Sequence, residues 1–213
     1  MDEEKIALLK KLNNDEPEEN TISEDKKVTI KVSDSSKWSS GLYDWMYCLL
    51  IAFIAVVMLL TFAFRMVNVD GDSMMNTLMN TDKVIVTDLF YTPKDGDVVV
   101  ISHGAEYSKP IIKRVIATEG QTLDINFETG EVVVDGVVLQ EDYINGETIK
   151  GNTEIPSVIP EGKVFVMGDN RVVSLDSRYE QVGLIDENDI IGKAQFVAIP
   201  AGFQFERFGL ISN

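Results

Sequence analysis

The sequence predicts a mostly β fold preceded by one transmembrane helix, and three observations carry that prediction. One run of residues is apolar without interruption, short β-branched runs recur between turn residues after it, and no long apolar period of 3.6 residues follows. The chain has 213 residues, 45% apolar and 25% charged, an ordinary composition for a packed core. That length allows one domain and an appendage.

The elements follow in order. Residues 1–40 carry ten acidic residues, seven lysines and a single proline, Pro17. They bury too little apolar surface to fold alone, so a disordered polar tail is expected over residues 1–43. Twenty residues from Trp45 to Phe64 contain no charge, and as a helix they reach about 30 Å, the thickness of a bilayer's hydrocarbon core. Tyr43, Trp45 and Tyr47 cluster at one end as interfacial anchors do. A buried core helix of this composition would need protein on every side, which residues 65–213 are too few to supply. The run is also too long, and too far along the chain, for a cleaved secretory signal. The span is therefore assigned to 44–64. Lys26, Lys27, Lys31 and Lys37 precede it closely, whereas only Arg65 and Lys83 follow at a similar distance. The positive-inside rule then places the tail in the cytoplasm and residues 65–213 outside.

In that outer domain, strands are expected at Lys83–Thr87, 97–102, Ile111–Ala117, 131–134 with 137–139, 164–167 and Ile190–Ile199. Asp135-Gly136 between two valine runs is a strong hairpin signal. An antiparallel, mainly β domain results.

Composition excludes several chemistries. With 19 Lys+Arg against 35 Asp+Glu the formal charge is −16, which argues against a nucleic-acid partner. One cysteine, Cys48, and one histidine, His103, exclude a disulfide framework, Cys-rich metal sites and His-pair metal motifs. No metal or cofactor is expected, and any catalysis must run on hydroxyls, amines or carboxylates.

Three segments carry such groups. Lys113 and Arg114 lie in an apolar strand, and alternation turns one of the two toward the packed side. A lysine held in apolar surroundings loses its charge near neutral pH and can accept a proton from a hydroxyl. Its plainer reading is an edge-strand charge that blunts aggregation. Ser73 follows Gly71-Asp72, where a turn exposes backbone N–H groups; alone it reads as an ordinary turn serine. Residues 168–178, with Ser174, Asp176, Ser177 and Arg178, alone read as a polar loop with an Asp–Arg pair.

Taken together and in this order, the three segments resemble the boxes of bacterial type I signal peptidases, the membrane-anchored Ser–Lys serine endopeptidases that remove signal peptides from exported proteins. Gly71-Asp72-Ser73-Met74-Met75-Asn76-Thr77-Leu78 resembles the nucleophile box, and Lys113-Arg114-Val115 the lysine box. Gly168-Asp169-Asn170 and Ser174-Leu175-Asp176-Ser177-Arg178 resemble the last and most specific box. The likeness is to the short, single-span branch and runs from the span to about Ala198.

The resemblance implies a fold of the signal-peptidase and SOS-repressor kind, with Ser73 as nucleophile and Lys113 as general base. It implies that Ser174 hydrogen-bonds the lysine amine, that Asp176 and Arg178 pair to brace the loop carrying Ser174, and that Asp169 and Asn170 shape its turn. Substrates would be signal peptides of pre-proteins with small side chains one and three positions before the cut, lying extended beside an edge strand. Met74, Met75 and Ile111 are the expected substrate-binding residues by proximity to the boxes. The bilayer is the other expected partner.

Some relatives have a serine two residues before the nucleophile, where this chain has Gly71, so a second oxyanion donor is unassigned. Asn76 replaces the usual proline, and Gly183 stands five positions after Arg178, where three are common. An SOS-repressor-like autoprotease would share the dyad but lack the span. A membrane-tethered β binding module without catalysis would have the span and strands but not the three boxes.

Overall fold

The computed structural model describes residues 35–211, so the disorder expected for residues 1–34 lies outside it. Helix α1, Ser35–Ala63, contains the apolar run. It begins nine residues before Asp44, the first residue of the span read from sequence. Residues 35–43, assigned above to the tail, therefore belong to the helix. They include no proline, and once a helix is nucleated each added residue gains a hydrogen bond. Residues 41–61 form one stretch long and apolar enough to cross a membrane, and their side chains are exposed.

Strand β1, Phe64–Asn68, follows without a linker, and Phe64 pairs with Thr87 rather than extending the helix. The remaining strands are β2 (Lys83–Thr87), β3 (Val98–Ile101), β4 (Ile111–Ala117), β5 (Leu123–Ile125), β6 (Val132–Val134), β7 (Val137–Val138), β8 (Lys163–Met167), β9 (Ile185–Asp186), β10 (Ile190–Ile199) and β11 (Gly209–Leu210). An eight-stranded sheet runs β1-β2-β10-β3-β4-β8-β9, with β11 added to β10, and a three-stranded sheet runs β5-β6-β7. Every neighbouring pair is antiparallel. The β6–β7 hairpin turns at Asp135 and Gly136, both with positive φ (51° and 78°), as a two-residue type I′ turn requires.

Alternation along β2 sends Val84 and Val86 into a core with Met74, Leu78, Val98, Val100, Ile112 and Val197. Val99, Ile101, Val115, Val164 and Val166 form a second cluster. A third joins the smaller sheet to β8 through Ile116, Leu123, Ile125, Val132, Val134, Phe165 and Met167. Strand β4 is therefore covered on both faces, and Lys113 and Arg114 are both buried. The expectation that only one of them would face the packed side is corrected: alternation separates two faces, and here neither is solvated.

Candidate active site

Three segments meet at one end of β4. After β1 the chain turns at Gly71, whose φ of 92° suits glycine. The turn is closed by Met75 N–H donating to Asp72 O and Leu78 N–H to Met74 O (3.2 and 2.8 Å). Asn170 ties this turn to the loop after β8: its N–H donates to Ser73 O at 3.0 Å and its Nδ2 to Asp72 O at 3.1 Å. Asn170 thus holds the Ser73 turn, a role beyond shaping its own loop.

Lys113 reaches the turn from β4. Its Nζ donates to Ser73 Oγ at 2.7 Å and to the carbonyl of Ile112 at 3.0 Å. The residue is 3% exposed, and no carboxylate lies within ion-pair distance of it among the described residues. Burial pulls its pKa down to about 8, against the opposing charges of Asp176 and Asp169.

The neighbouring arginines are each neutralised. Arg114 Nε and Nη2 donate to Asp169 Oδ1 and Oδ2 at 2.9 and 2.8 Å, and the Tyr143 ring lies 3.8 Å from the guanidinium. Arg178 Nε and Nη2 donate to Asp176 Oδ1 and Oδ2 at 2.8 and 2.9 Å, and Asp176 Oδ2 also accepts from Gly168 N–H. Arg171 is paired with Glu141, donates to Thr148 Oγ1 at 2.7 Å and holds the carbonyl of Gly168. Glu141, Tyr143, Thr148 and Arg171 were not singled out from sequence. Arg171 adjoins the Gly-Asp-Asn box, which is a local signal, whereas Glu141 and Tyr143 belong to no motif.

Two expectations are corrected. Ser174 is buried beside the site, but its Oγ has no hydrogen-bond partner among the described residues and does not bond the lysine. The amine is directed to Ser73 and Ile112 instead, and Ser174 Oγ packs over Gly168, where an added Cβ would collide with it. Met74, 1% exposed, packs in the core with Leu78 and Val84, so its side chain is not part of the cleft lining. Met75 and Ile111 do line that cleft, a space of about 570 Å³ that also contains Ser73, Lys113, Val67 and Asn170. No cluster of His, Cys, Asp or Glu among the described residues could hold a metal ion.

A buried amine hydrogen-bonded to a serine at a cleft is an arrangement suited to proton removal from that serine. Independent of this geometry, the family model described as "Signal peptidase, peptidase S26" matches residues 42–199, most of the chain. The chain belongs to the signal peptidase S26 family. It is accordingly a peptidase, and the apolar helix is its candidate membrane anchor. Among similar S26 proteins, "Signal peptidase I P" of Bacillus subtilis subsp. natto is 34% identical over 172 residues, covering 76% of this chain and 91% of its own. "Probable signal peptidase I-1" of Synechocystis is 37% identical, covering 72% and 80%. "Signal peptidase IB" of Staphylococcus aureus is 32% identical, covering 73% and 88%. A signal peptidase I crystal structure from Enterococcus faecalis aligns with 25% identity and a TM-score of 0.42, covering 48% of this chain and 97% of that one.

Proposed function

We propose that this S26 peptidase is a membrane-anchored serine endopeptidase that cleaves signal peptides from exported pre-proteins, with Ser73 as nucleophile and Lys113 as general base. The observation that carries this reading is the 2.7 Å contact between a buried lysine amine and Ser73 Oγ. Once the amine is neutral, the hydrogen bond reverses and the serine hydroxyl donates to Nζ. Ser73 Oγ attacks the scissile carbonyl as Lys113 takes its proton, and the resulting ammonium donates to the leaving amine. Water then attacks the acyl-enzyme through the same base. The Ser73 N–H, which donates to no described residue, is one oxyanion donor. Gly71 N–H is engaged by Asn80 Oδ1, so it is a poor second donor. Ser174 Oγ, without a partner while the amine is held by Ser73, accepts from the ammonium once Ser73 Oγ has passed to the substrate carbonyl, and the Asp176–Arg178 pair keeps its loop in place.

The substrate lies extended between β1, at the end of the sheet, and the chain entering β4. Met75, Ile111 and their neighbours limit the side chains at positions −1 and −3 to small ones. The helix from residue 44 to Ala63 spans the bilayer, with the tail in the cytoplasm and the strands from Phe64 onward on the outer face. The domain's own surface supports contact with lipid, because Met66, Ile85, Phe196 and Leu210 align across four strands. Met66 and Leu210 are exposed, as are Phe203 and Phe208, the latter stacked edge-on against Phe196.

Cleavage of a pre-protein in proteoliposomes tests the reading. Ser73→Ala and Lys113→Ala are both expected to abolish processing; full activity in either variant would show the dyad to be misassigned.

A further inference from the structure

A second set of part-buried contacts reaches the Ser73 turn through residues that do not line the cleft. Asp82, fully buried just before β2, accepts four hydrogen bonds. Met79 N–H and Ala201 N–H donate to it at 2.8 and 2.7 Å, and Arg207 donates from both Nη1 and Nη2 at 3.0 and 2.7 Å. Arg207 Nη2 also donates to the carbonyl of Thr77 at 3.3 Å. The Thr77 hydroxyl meanwhile donates to Asp169 Oδ2 at 2.5 Å and accepts from Arg114 Nη2 at 3.3 Å. Thr77 is thus gripped at its carbonyl by the C-terminal segment and at its hydroxyl by the network behind Lys113. It lies four residues after Ser73 in the same turn.

We propose that Asp82 and Arg207 form a positioning clamp for the turn that carries Ser73, closed by the C-terminal segment 200–207. The proposal rests on the reading of Ser73 as nucleophile. Neither Asp82 nor Arg207 lines the cleft, and residues 200–207 lie beyond the stretch matched to the family. Arginine suits the task because its planar fork fixes the carboxylate's orientation while a remaining N–H reaches Thr77 O. Burial alone would raise the Asp82 pKa, but Arg207 and the Met79 and Ala201 N–H groups more than offset it and keep the carboxyl low. The clamp therefore stays charged across the working pH range. A displacement of about 1 Å of a reacting group can lower a rate about a hundredfold, so the turn's anchorage bears on turnover.

The test uses the full chain in proteoliposomes with a signal-peptide substrate, measuring kcat, KM and the pH profile for Arg207→Met, Arg207→Lys and Asp82→Asn, each below its Tm. Arg207→Met is expected to lower kcat about tenfold or more with KM changed less than about twofold. Its acid limb is expected to move upward from about 8, because a turn that drifts from Lys113 lets water reach the amine. Arg207→Lys recovers part of the loss by keeping the charge against Asp82. Lys163→Met, which removes an exposed ion pair to Asp186, serves as a control with the wild-type profile.

Wild-type kcat and acid limb in Arg207→Met overturn the clamp. So does a loss that only tracks the folded fraction at an unchanged acid limb, since that is a purely structural role. If Arg207→Met does not fold, the acid limbs of Arg207→Lys and Asp82→Asn decide in the same way. Ser73→Ala run in parallel separates the two ideas. If it still cuts, the nucleophile is wrong; if it is inactive while Arg207→Met behaves as wild type, only the clamp fails.

Discussion

Lys113 and Arg114 are consecutive in β4 and both buried, yet they differ in charge balance: Arg114 is held by both oxygens of Asp169, whereas Lys113 meets a hydroxyl and a backbone carbonyl. An arginine cannot shed its proton, so its burial requires the carboxylate. A lysine can, and burial without a carboxylate favours the neutral amine. One strand thus supplies a permanent charge that anchors a network and a titratable amine beside Ser73.

That difference gives Lys113 a pH-dependent effect on stability. Its folded pKa, about 8, lies below its unfolded value of 10.5, so the unfolded chain binds more protons between them. Folding stability tied to this group therefore rises with pH through that window, and the cost of burying the ammonium, on the order of 3 kcal/mol, is present in full below about pH 8. Lys113→Met should accordingly be more stable than the parent at pH 7. Chemical denaturation at several pH values is expected to show the gap closing as pH approaches 10.5.

Asp169→Asn should be severe for the opposite reason. It removes the carboxylate charge that both Nε and Nη2 of the Arg114 guanidinium, 0% exposed, are bonded to, and breaking a buried pair from one side costs about 3–5 kcal/mol. A Tm drop of many degrees is the expected reading. A change within a degree or two would mean that Arg114 finds another anion.

Met74 and Met75, adjacent in sequence, should behave differently on truncation. Met74→Ala opens a core cavity and should cost about 2–4 kcal/mol with little change in cleavage-site choice. Met75→Ala enlarges the cleft and should admit bulkier side chains near the cut at little cost in stability. Denaturation paired with cleavage of substrates varied at −1 and −3 checks both.

Ser174→Ala should leave the fold as stable as before, because its buried hydroxyl forms no hydrogen bond that the substitution would remove. Its kcat is expected to fall about tenfold or more, because the hydroxyl then cannot meet the ammonium formed in the reaction. Thermal melts and steady-state kinetics on the same preparation separate the two effects; a lower Tm with unchanged kcat would contradict this account.

How much of this was legible before the structure depended on whether the information was local. Strands β2, β4 and β10 fall at Lys83–Thr87, Ile111–Ala117 and Ile190–Ile199, as the β-branched runs indicate, because those runs are long enough to show strand composition. Strand β1 was hidden because Phe64 reads as the end of the apolar run, and only pairing with Thr87 makes it a strand. Two-residue strands such as β9 and β11 exist through their partners alone.

The site shows the same division. The boxes pointed to Ser73 and Lys113, which do meet, and to Asp176 and Arg178, which do pair. Sequence could not show that β4 is covered on both faces, since alternation assumes one solvated side. It could not show that Met74 and Met75 part company inside a turn. The bonds from Arg171 to Glu141 and from Arg207 to Asp82 join residues 30 and 125 positions apart, and no local pattern encodes such a crossing.

The central claim is that Lys113 is a neutral amine beside Ser73 at slightly alkaline pH. Titration of the Lys113 side chain by NMR, with selectively labelled lysine in the membrane-embedded protein, tests it most directly. A midpoint near 8 is the result this account predicts. A side chain still cationic at pH 9, with a midpoint near the ordinary lysine value of 10.5, would contradict it.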